Sequence, residues 1–263
     1  YFKRIIKEYK FKLFYDFRGL VHDESYLRNQ SKLRRKAVKE LEKFASKRAD
    51  QLGAVSKKFE AYLKNTFKTN MPIYVTPCCI ENVHRKEFII KKEMKFVYLG
   101  GISAWQCFDE ILVLYKRISD NVENVSLTII TKQTDIAARK ANSLGLKDVT
   151  IKTLTHDKVL IDLCNYDFGF LLREKRLLNE VASPIKFLEY TSRGIIPIIT
   201  KGIGDFSEEV EKNNIGILLD SPNSAVDIVS LLNLVHDPGI RKRLENYSCN
   251  YLWESFIKDH PLV

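Results

Sequence analysis

The sequence predicts an α/β fold whose main domain is a doubly wound parallel sheet. Three observations predict it. From Phe96 onward, short apolar runs alternate with stretches of helical period, giving six strand–helix pairs. Several runs are apolar throughout, as in Leu127-Thr128-Ile129-Ile130 and Phe168-Gly169-Phe170-Leu171-Leu172. That suits strands covered on both faces by helices. Finally, the segments after the first, fourth and fifth strands carry glycines or basic residues, and such sheets take their ligands at those strand ends.

The elements follow in order. Residues 1–10 are basic and helix-compatible, and Leu13-Phe14-Tyr15-Asp16-Phe17 reads as a strand closed by Arg18-Gly19. A long helix is expected over 23–48. Leu33, Ala37, Leu41, Phe44 and Ala45 recur on one side at helical spacing, and Lys32, Arg34, Arg35, Lys36, Lys39 and Lys43 lie on the other. Leu52-Gly53-Ala54-Val55 is a short strand, Ser56 caps a helix over 57–67, and Ile73-Tyr74-Val75-Thr76-Pro77 is a strand stopped by proline. Residues 81–95 are polar without an apolar period and read as a linker between a domain at 1–80 and one at 96–240. In the second domain, strands at about 96–99, 126–130, 149–151, 167–172, 195–199 and 215–219 alternate with helices. Those helices run at about 105–119, 135–144, 156–164, 184–193, 206–213 and 223–236. Pro238 breaks the last helix, which resumes through Tyr251–Phe256, so 241–263 reads as a C-terminal helix that either crosses back to the first domain or caps its own.

Composition bounds the function classes. At 45% hydrophobic and 29% charged over 263 residues, the chain is expected to be soluble and globular. No run approaches the roughly 18 apolar residues of a membrane span. The chain starts at Tyr1 with no signal-peptide pattern, so an N-terminal part removed, or a fragment of a longer chain, is expected. Cys78, Cys79, Cys107, Cys164 and Cys249 show no C-x-x-C spacing and are odd in number. That excludes the zinc and disulfide patterns and leaves buried thiols in a reducing cytoplasm. Charge is uneven: residues 1–68 hold 19 Lys and Arg against 8 Asp and Glu, and the remainder holds 24 against 25. The basic 31–48 helix suits anionic lipid headgroups at the inner membrane face. The plain alternative is a solvated helix, and nucleic acid ranks below lipid because no RNP-like, zinc-finger or helix-turn-helix pattern occurs.

The candidate site centres on Ser183-Pro184-Ile185-Lys186-Phe187-Leu188-Glu189-Tyr190, with Gly194 after it. Ser183 suits an N-cap and Pro184 the first helical position. Lys186 then stands in the first turn, where a cation conflicts with the helix dipole unless an anion sits between. Glu189, three residues on, shares the face of Lys186. Gly100-Gly101-Ile102-Ser103, Arg173-Glu174-Lys175 and Lys201-Gly202-Ile203-Gly204-Asp205 are the three strand-end segments expected to converge there. A phosphate bearing a hydroxylated group is the ligand these residues suit.

Phe96-Val97-Tyr98-Leu99-Gly100-Gly101, Trp105-Gln106 and the Ser-Pro-x-Lys-Phe-x-Glu-Tyr stretch, with Gly194 and Pro197, resemble the C-terminal domain of bacterial GT-B glycosyltransferases. The closest group is the glycosyltransferase 4-like one of capsule, exopolysaccharide and lipopolysaccharide assembly. The Tyr15–Gly19 and Val55-Ser56 pieces match the group's upstream part. The resemblance implies a GT-B-like fold, with a Rossmann-like C-terminal domain and an incomplete Rossmann-like N-terminal one. It also implies retaining sugar transfer from a nucleotide-diphosphate donor, UDP-sugar before GDP-sugar, to a glycan or lipid-linked acceptor, with no cofactor and no metal. By the same resemblance Glu189 holds the donor ribose, and the Ser183-Pro184 turn meets the diphosphate. Lys186, with Arg173 or Lys175, neutralises the leaving group, and Gly100, Gly101 and Gly204 border the donor.

The sequence departs from that pattern at two points. Eight residues before Glu189 stands Val181, so Glu180 takes the first motif-glutamate role only with a shifted turn. Gly101-Ile102-Ser103 stands where an arginine of the phosphate pair is usual. His22 comes too late to match the family's N-terminal histidine and is expected on the surface. Two alternatives accompany the transferase reading: a truncated, non-catalytic nucleotide-binding or interaction chain, and a GT-B-like sugar-nucleotide epimerase.

Overall fold

The computed structural model describes residues 12–27, 31–67, 70–84, 86–87 and 93–258. It divides into two compact units, Tyr1–Pro77 with Arg176–Ser183, and Cys78–Lys175 with Pro184–Val263. The helix expected within 1–10 lies outside the described residues.

The first unit runs β1 (Phe14–Phe17), α1 (Val21–Leu27), α2 (Lys32–Arg48), β2 (Gln51–Ala54), α3 (Lys57–Phe67) and β3 (Ile73–Val75). Its three strands are parallel in the order β1-β2-β3. Phe17, Leu52, Phe59 and Leu63 form its core, joined by Leu178 and Val181 from the later segment. The single helix expected over 23–48 is two helices, and its orientation also differs from expectation. In α2 the buried residues are Glu42 and Ser46, whereas Leu33, Leu41 and Phe44 are 83%, 65% and 50% exposed. The polar side docks because Glu42 has partners there: it accepts from the Val21 backbone N–H at 3.1 Å and pairs with His22 Nδ1 at 2.6 Å. His22 is therefore not a free surface residue, and the bond to Glu42 raises its pKa above the ordinary value.

The second unit runs β4 (Met94–Leu99), α4 (Phe108–Ser119), β5 (Val125–Ile130), α5 (Thr134–Ser143), β6 (Val149–Lys152), α6 (His156–Asp162) and β7 (Phe168–Leu171). The chain then enters α7 (Leu177–Glu180), which belongs to the first unit and was not expected from the sequence. It continues as α8 (Ile185–Thr191), β8 (Ile196–Thr200), α9 (Phe206–Asn213), β9 (Ile217–Leu219), α10 (Ile228–His236), α11 (Ile240–Cys249) and α12 (Trp253–Lys258). The six strands lie in the order β6-β5-β4-β7-β8-β9, and every pairing is parallel. The order reverses between β4 and β7, which opens a crevice at their carboxyl ends.

Aromatic packing fixes this sheet and its helices. Phe96 stacks on Phe168 and Phe170, with ring centroids 5.1 and 5.6 Å away, and Phe187 of α8 stacks on Phe206 at 4.3 Å. Fully burying such a side chain stabilises by about 1.5–3 kcal/mol. Tyr190 lies flat over Gly169 of β7, where any Cβ would run into its ring. The expected linker is not free where it is described. Asn82 accepts two bonds from the Arg193 guanidinium, Ile80 bridges to Leu252, and Lys86 bonds the Tyr166 carbonyl. The C-terminal stretch is likewise two helices, α11 and α12, rather than one. All five thiols are free as expected, but Cys249 is exposed and only Cys79 and Cys107 are buried. Among the described residues no helix is long and apolar enough to cross a membrane.

Candidate functional site

The crevice between β4 and β7 is shaped by a backbone reversal and entered by the Lys186 side chain. Gly100, directly after β4, has φ +144°, a conformation that favours glycine. A Cβ there would also occupy the place of the Lys186 ammonium. Glycine therefore serves both the turn and the approach of Lys186. From α8, Lys186 Nζ donates to Gln106 Oε1 at 2.7 Å and lies 5.5 Å from the Tyr98 ring centroid. Gln106 ends a short 3-10 turn, Ala104–Gln106, in the loop after β4. Gly101 shapes the same loop: its carbonyl accepts from Tyr98, and the next N–H, of Ile102, donates to Gln133 Oε1 at 2.6 Å.

Arg173 follows β7 and is buried. Its guanidinium donates to the Trp105 carbonyl at 3.0 Å, and its backbone N–H donates to Thr200 Oγ1 at 2.9 Å. Two cations thus share one crevice, Arg173 buried and Lys186 half-buried. Burial, followed by repulsion from Arg173, pushes the Lys186 pKa down to about 7, with Glu189 opposing. Burial also lowers Arg173 from its ordinary value. Glu189, one helical turn from Lys186, is buried, and burial raises its pKa. Its Oε1 lies 3.8 Å from Nδ1 of the exposed His156, at the start of α6. Among the described residues nothing donates a hydrogen bond to the Glu189 carboxylate. Acceptors in this state bind hydroxyl groups well, because a buried carboxylate gains more from a donor than an exposed one does.

Of the residues expected from the sequence, Gly100, Gly101, Arg173, Lys186 and Glu189 stand at this strand edge. Gly204 has φ +45° and bends the turn between β8 and α9 without contributing a side chain. Lys175 is exposed. Two expectations are corrected. Pro184 is the N-cap rather than the first helical residue, at φ −68° and ψ 118°, since α8 begins at Ile185. Ser183 does not cap: its hydroxyl is buried with no hydrogen-bond partner. Glu180 closes α7 and, with Ser183, packs in the first unit, where Val181 accepts from Ser56 at 2.8 Å. Since α8 has only about two turns, the anion-attracting element of this crevice is the Lys186 side chain rather than a capped helix end. Sequence reasoning missed two contributors, Gln106 as the partner of Lys186 and His156 beside Glu189. Both begin or end short elements after strands on the same sheet edge; for His156 that position was the only signal, and Gln106 also stood in the Trp105-Gln106 pair of the family resemblance.

A parallel sheet whose order reverses between β4 and β7, with Lys186, Arg173 and Glu189 at that switch point, defines a doubly wound, Rossmann-like domain. This is the kind of domain found in GT-B glycosyltransferases. The family model "Glycosyl transferases group 1" matches residues 80–250, and the chain belongs to that family. Solved structures agree on the fold. WaaG, a glycosyltransferase involved in lipopolysaccharide biosynthesis, is 13% identical with a TM-score of 0.64, over 94% of this chain and 76% of that one. The lipopolysaccharide outer core galactosyltransferase WaaB is 16% identical with a TM-score of 0.63, over 81% and 61%. A mutant of TarM from S. aureus, in complex with fondaparinux, α-GlcNAc-glycerol and UDP, is 15% identical with a TM-score of 0.67, over 94% and 49%. The chain thus spans about half of TarM and less than two thirds of WaaB. Curated protein sequences give no match to it.

Proposed function

We propose that the second unit binds the nucleoside diphosphate of a sugar donor, UDP-sugar first, for retaining transfer to a glycan or lipid-linked acceptor of surface polysaccharide synthesis. The observation that carries the reading is the Lys186 ammonium, held at the switch point by a neutral amide instead of a carboxylate. Its charge therefore stays available to an anion. Lys186 neutralises the diphosphate as the sugar–phosphate bond breaks, the work a metal ion does in other enzymes. Arg173 adds positive potential from below while its own bonds hold Trp105 and the Gln106 turn in place. Glu189 accepts from the ribose hydroxyls. UDP bound to TarM in the structure above supports the uridine preference, and the lipopolysaccharide roles of WaaG and WaaB support the polysaccharide assignment.

Calorimetric titration of the full chain with UDP, GDP, UMP and UDP-sugars tests this. UDP is expected to bind more tightly than UMP, with Lys186→Ala removing most of the difference. Equal affinity for UDP and UMP, or an unchanged isotherm in Lys186→Ala, overturns the site.

A further inference from the structure

Helices cover both faces of a doubly wound parallel sheet, so its strands are expected to be apolar throughout. The β4-β5-β6 half departs from that on one face. Lys95 pairs with Ser126 and Thr128 with Thr150 in the strand register, so these four side chains point to the same side. All four are half-buried or exposed, and they line one groove of about 840 Å³. On the opposite face the same strands present Phe96, Leu127 and Ile129, which are fully buried. Length explains the difference. Helix α6, which meets the polar face through Asp162, has seven residues, about 10 Å, whereas the six residues of β5 run about 20 Å. It is too short to cover the strand from end to end.

The groove pairs its own charges. Lys152 Nζ donates to Asp162 Oδ1 at 2.7 Å, the Tyr166 hydroxyl donates to Asp162 Oδ2 at 2.7 Å, and Lys95 Nζ lies 3.4 Å from Glu93 Oε2. Ser126 Oγ donates to Glu93 Oε1 at 2.6 Å. Both lysines therefore have a carboxylate, and a charged ligand of either sign would compete with one of these pairs. A neutral one need not. The carboxylates still have lone pairs to accept on, each ammonium has three donors, and a threonine hydroxyl both donates and accepts. Thr150 makes no side-chain hydrogen bond among the described residues. We propose that this groove is a second carbohydrate site, which holds a neutral oligosaccharide away from the donor crevice. Its volume lies within the roughly 300–1,000 Å³ of small-molecule sites. Lys95 stands on the same strand as the Gly100 turn and about 16 Å before it, so one molecule of donor cannot explain both places. The choice of a glycan over other neutral polyols rests on the sugar-transfer reading; the groove itself does not. Holding an acceptor or product chain by sugars remote from the reacting end raises the local concentration of that end.

Titration of the full chain with maltoheptaose and with N-acetylchitohexaose, followed by backbone amide chemical shifts, tests it. At least one of the two is expected to bind with a millimolar Kd. It should move the amides of Ser126, Thr128, Thr150 and Lys152, leave those of Gly100 and Lys186 in place, and bind equally well with UDP present. Ser126→Ala/Thr150→Val should weaken that binding by about tenfold, because two hydroxyl partners are gone. The same variant should keep the wild-type circular dichroism, melting midpoint and UDP isotherm. Absence of binding by both oligosaccharides overturns the proposal, as does binding that competes with UDP or is unchanged in the variant. Tighter binding of dextran sulfate at the same amides also overturns it, since the pairing of charges would then not select a neutral ligand. Oligosaccharide binding at these amides by a chain that ignores UDP would support the groove while removing the sugar-donor reading, so the two fail separately.

Discussion

Helices α2 and α8 make an instructive pair. The first has 17 residues and an orderly apolar period, yet it buries only Glu42 and Ser46. The second has 7 residues and buries Phe187, Leu188, Glu189, Tyr190 and Thr191. Period therefore shows that a helix has two faces without showing which face the core takes. In α8 the choice is made by its neighbours: Phe187 meets Phe206, and the Tyr190 ring fills the gap left by Gly169. In α2 it is made by one carboxylate, since Glu42 finds the Val21 N–H and His22 on the inner side. The two helices also put their cations to different use. Lys186 is drawn in beside Arg173 and made acidic, whereas the lysines of α2 stay exposed.

The contrast can be broken at its strongest point first. Tyr190→Ala removes a fully buried ring and the hydroxyl that accepts from Leu99 N–H at 3.0 Å. Urea unfolding should show a loss of about 3–5 kcal/mol. Lys186→Ala should weaken UDP binding by about tenfold to a hundredfold in calorimetry, the range of one charge-assisted contact, with little change in melting.

The acidity of Lys186 gives the next effect, and its sign is fixed by linkage. The free protein carries this lysine with a pKa of about 7, and a bound diphosphate raises it. Binding therefore takes up a proton above pH 7, and UDP affinity should fall by up to about tenfold per pH unit as pH rises from there. Titrations in two buffers of different ionisation enthalpy would count that proton. In Lys186→Ala the slope should vanish. Glu189→Gln should cost about fivefold to tenfold against UDP and nothing against inorganic pyrophosphate, which has no ribose.

The smallest expected effect sharpens the comparison from the other side. Leu41→Ala in α2 should leave urea stability within about 0.5 kcal/mol of wild type, since the side chain is 65% exposed. A loss like that of Tyr190→Ala would mean that α2 buries its stripe after all.

Much of the sheet was legible because continuous apolar runs bounded by glycine and polar residues have few other homes. Phe168–Leu171 and Ile196–Thr200 are strands, as their composition requires. Lys186 and Glu189 were legible because three residues of helix put two side chains on one face. Gln106 and His156 were not, because each is tied to the site only by a partner 80 and 33 positions away in the chain. Ser183 misled for a related reason. The sequence offers it a capping role, but local grammar holds only while the chain continues in one body, and at Ser183 the backbone passes from one unit to the other.

Composition and pattern by themselves determined the α/β class, the parallel second sheet, which segments lie at its strand ends, and the basic character of the first quarter. These properties depend on neighbours within a few residues or on totals. Only the tertiary structure decided that α2 turns its apolar stripe outward, that Lys186 is held by an amide beside Gly100, and that the segment from Arg176 to Ser183 joins the first unit. Each of these depends on which distant group is available to satisfy a buried polar atom or fill a gap, and such pairings are made in space rather than along the chain.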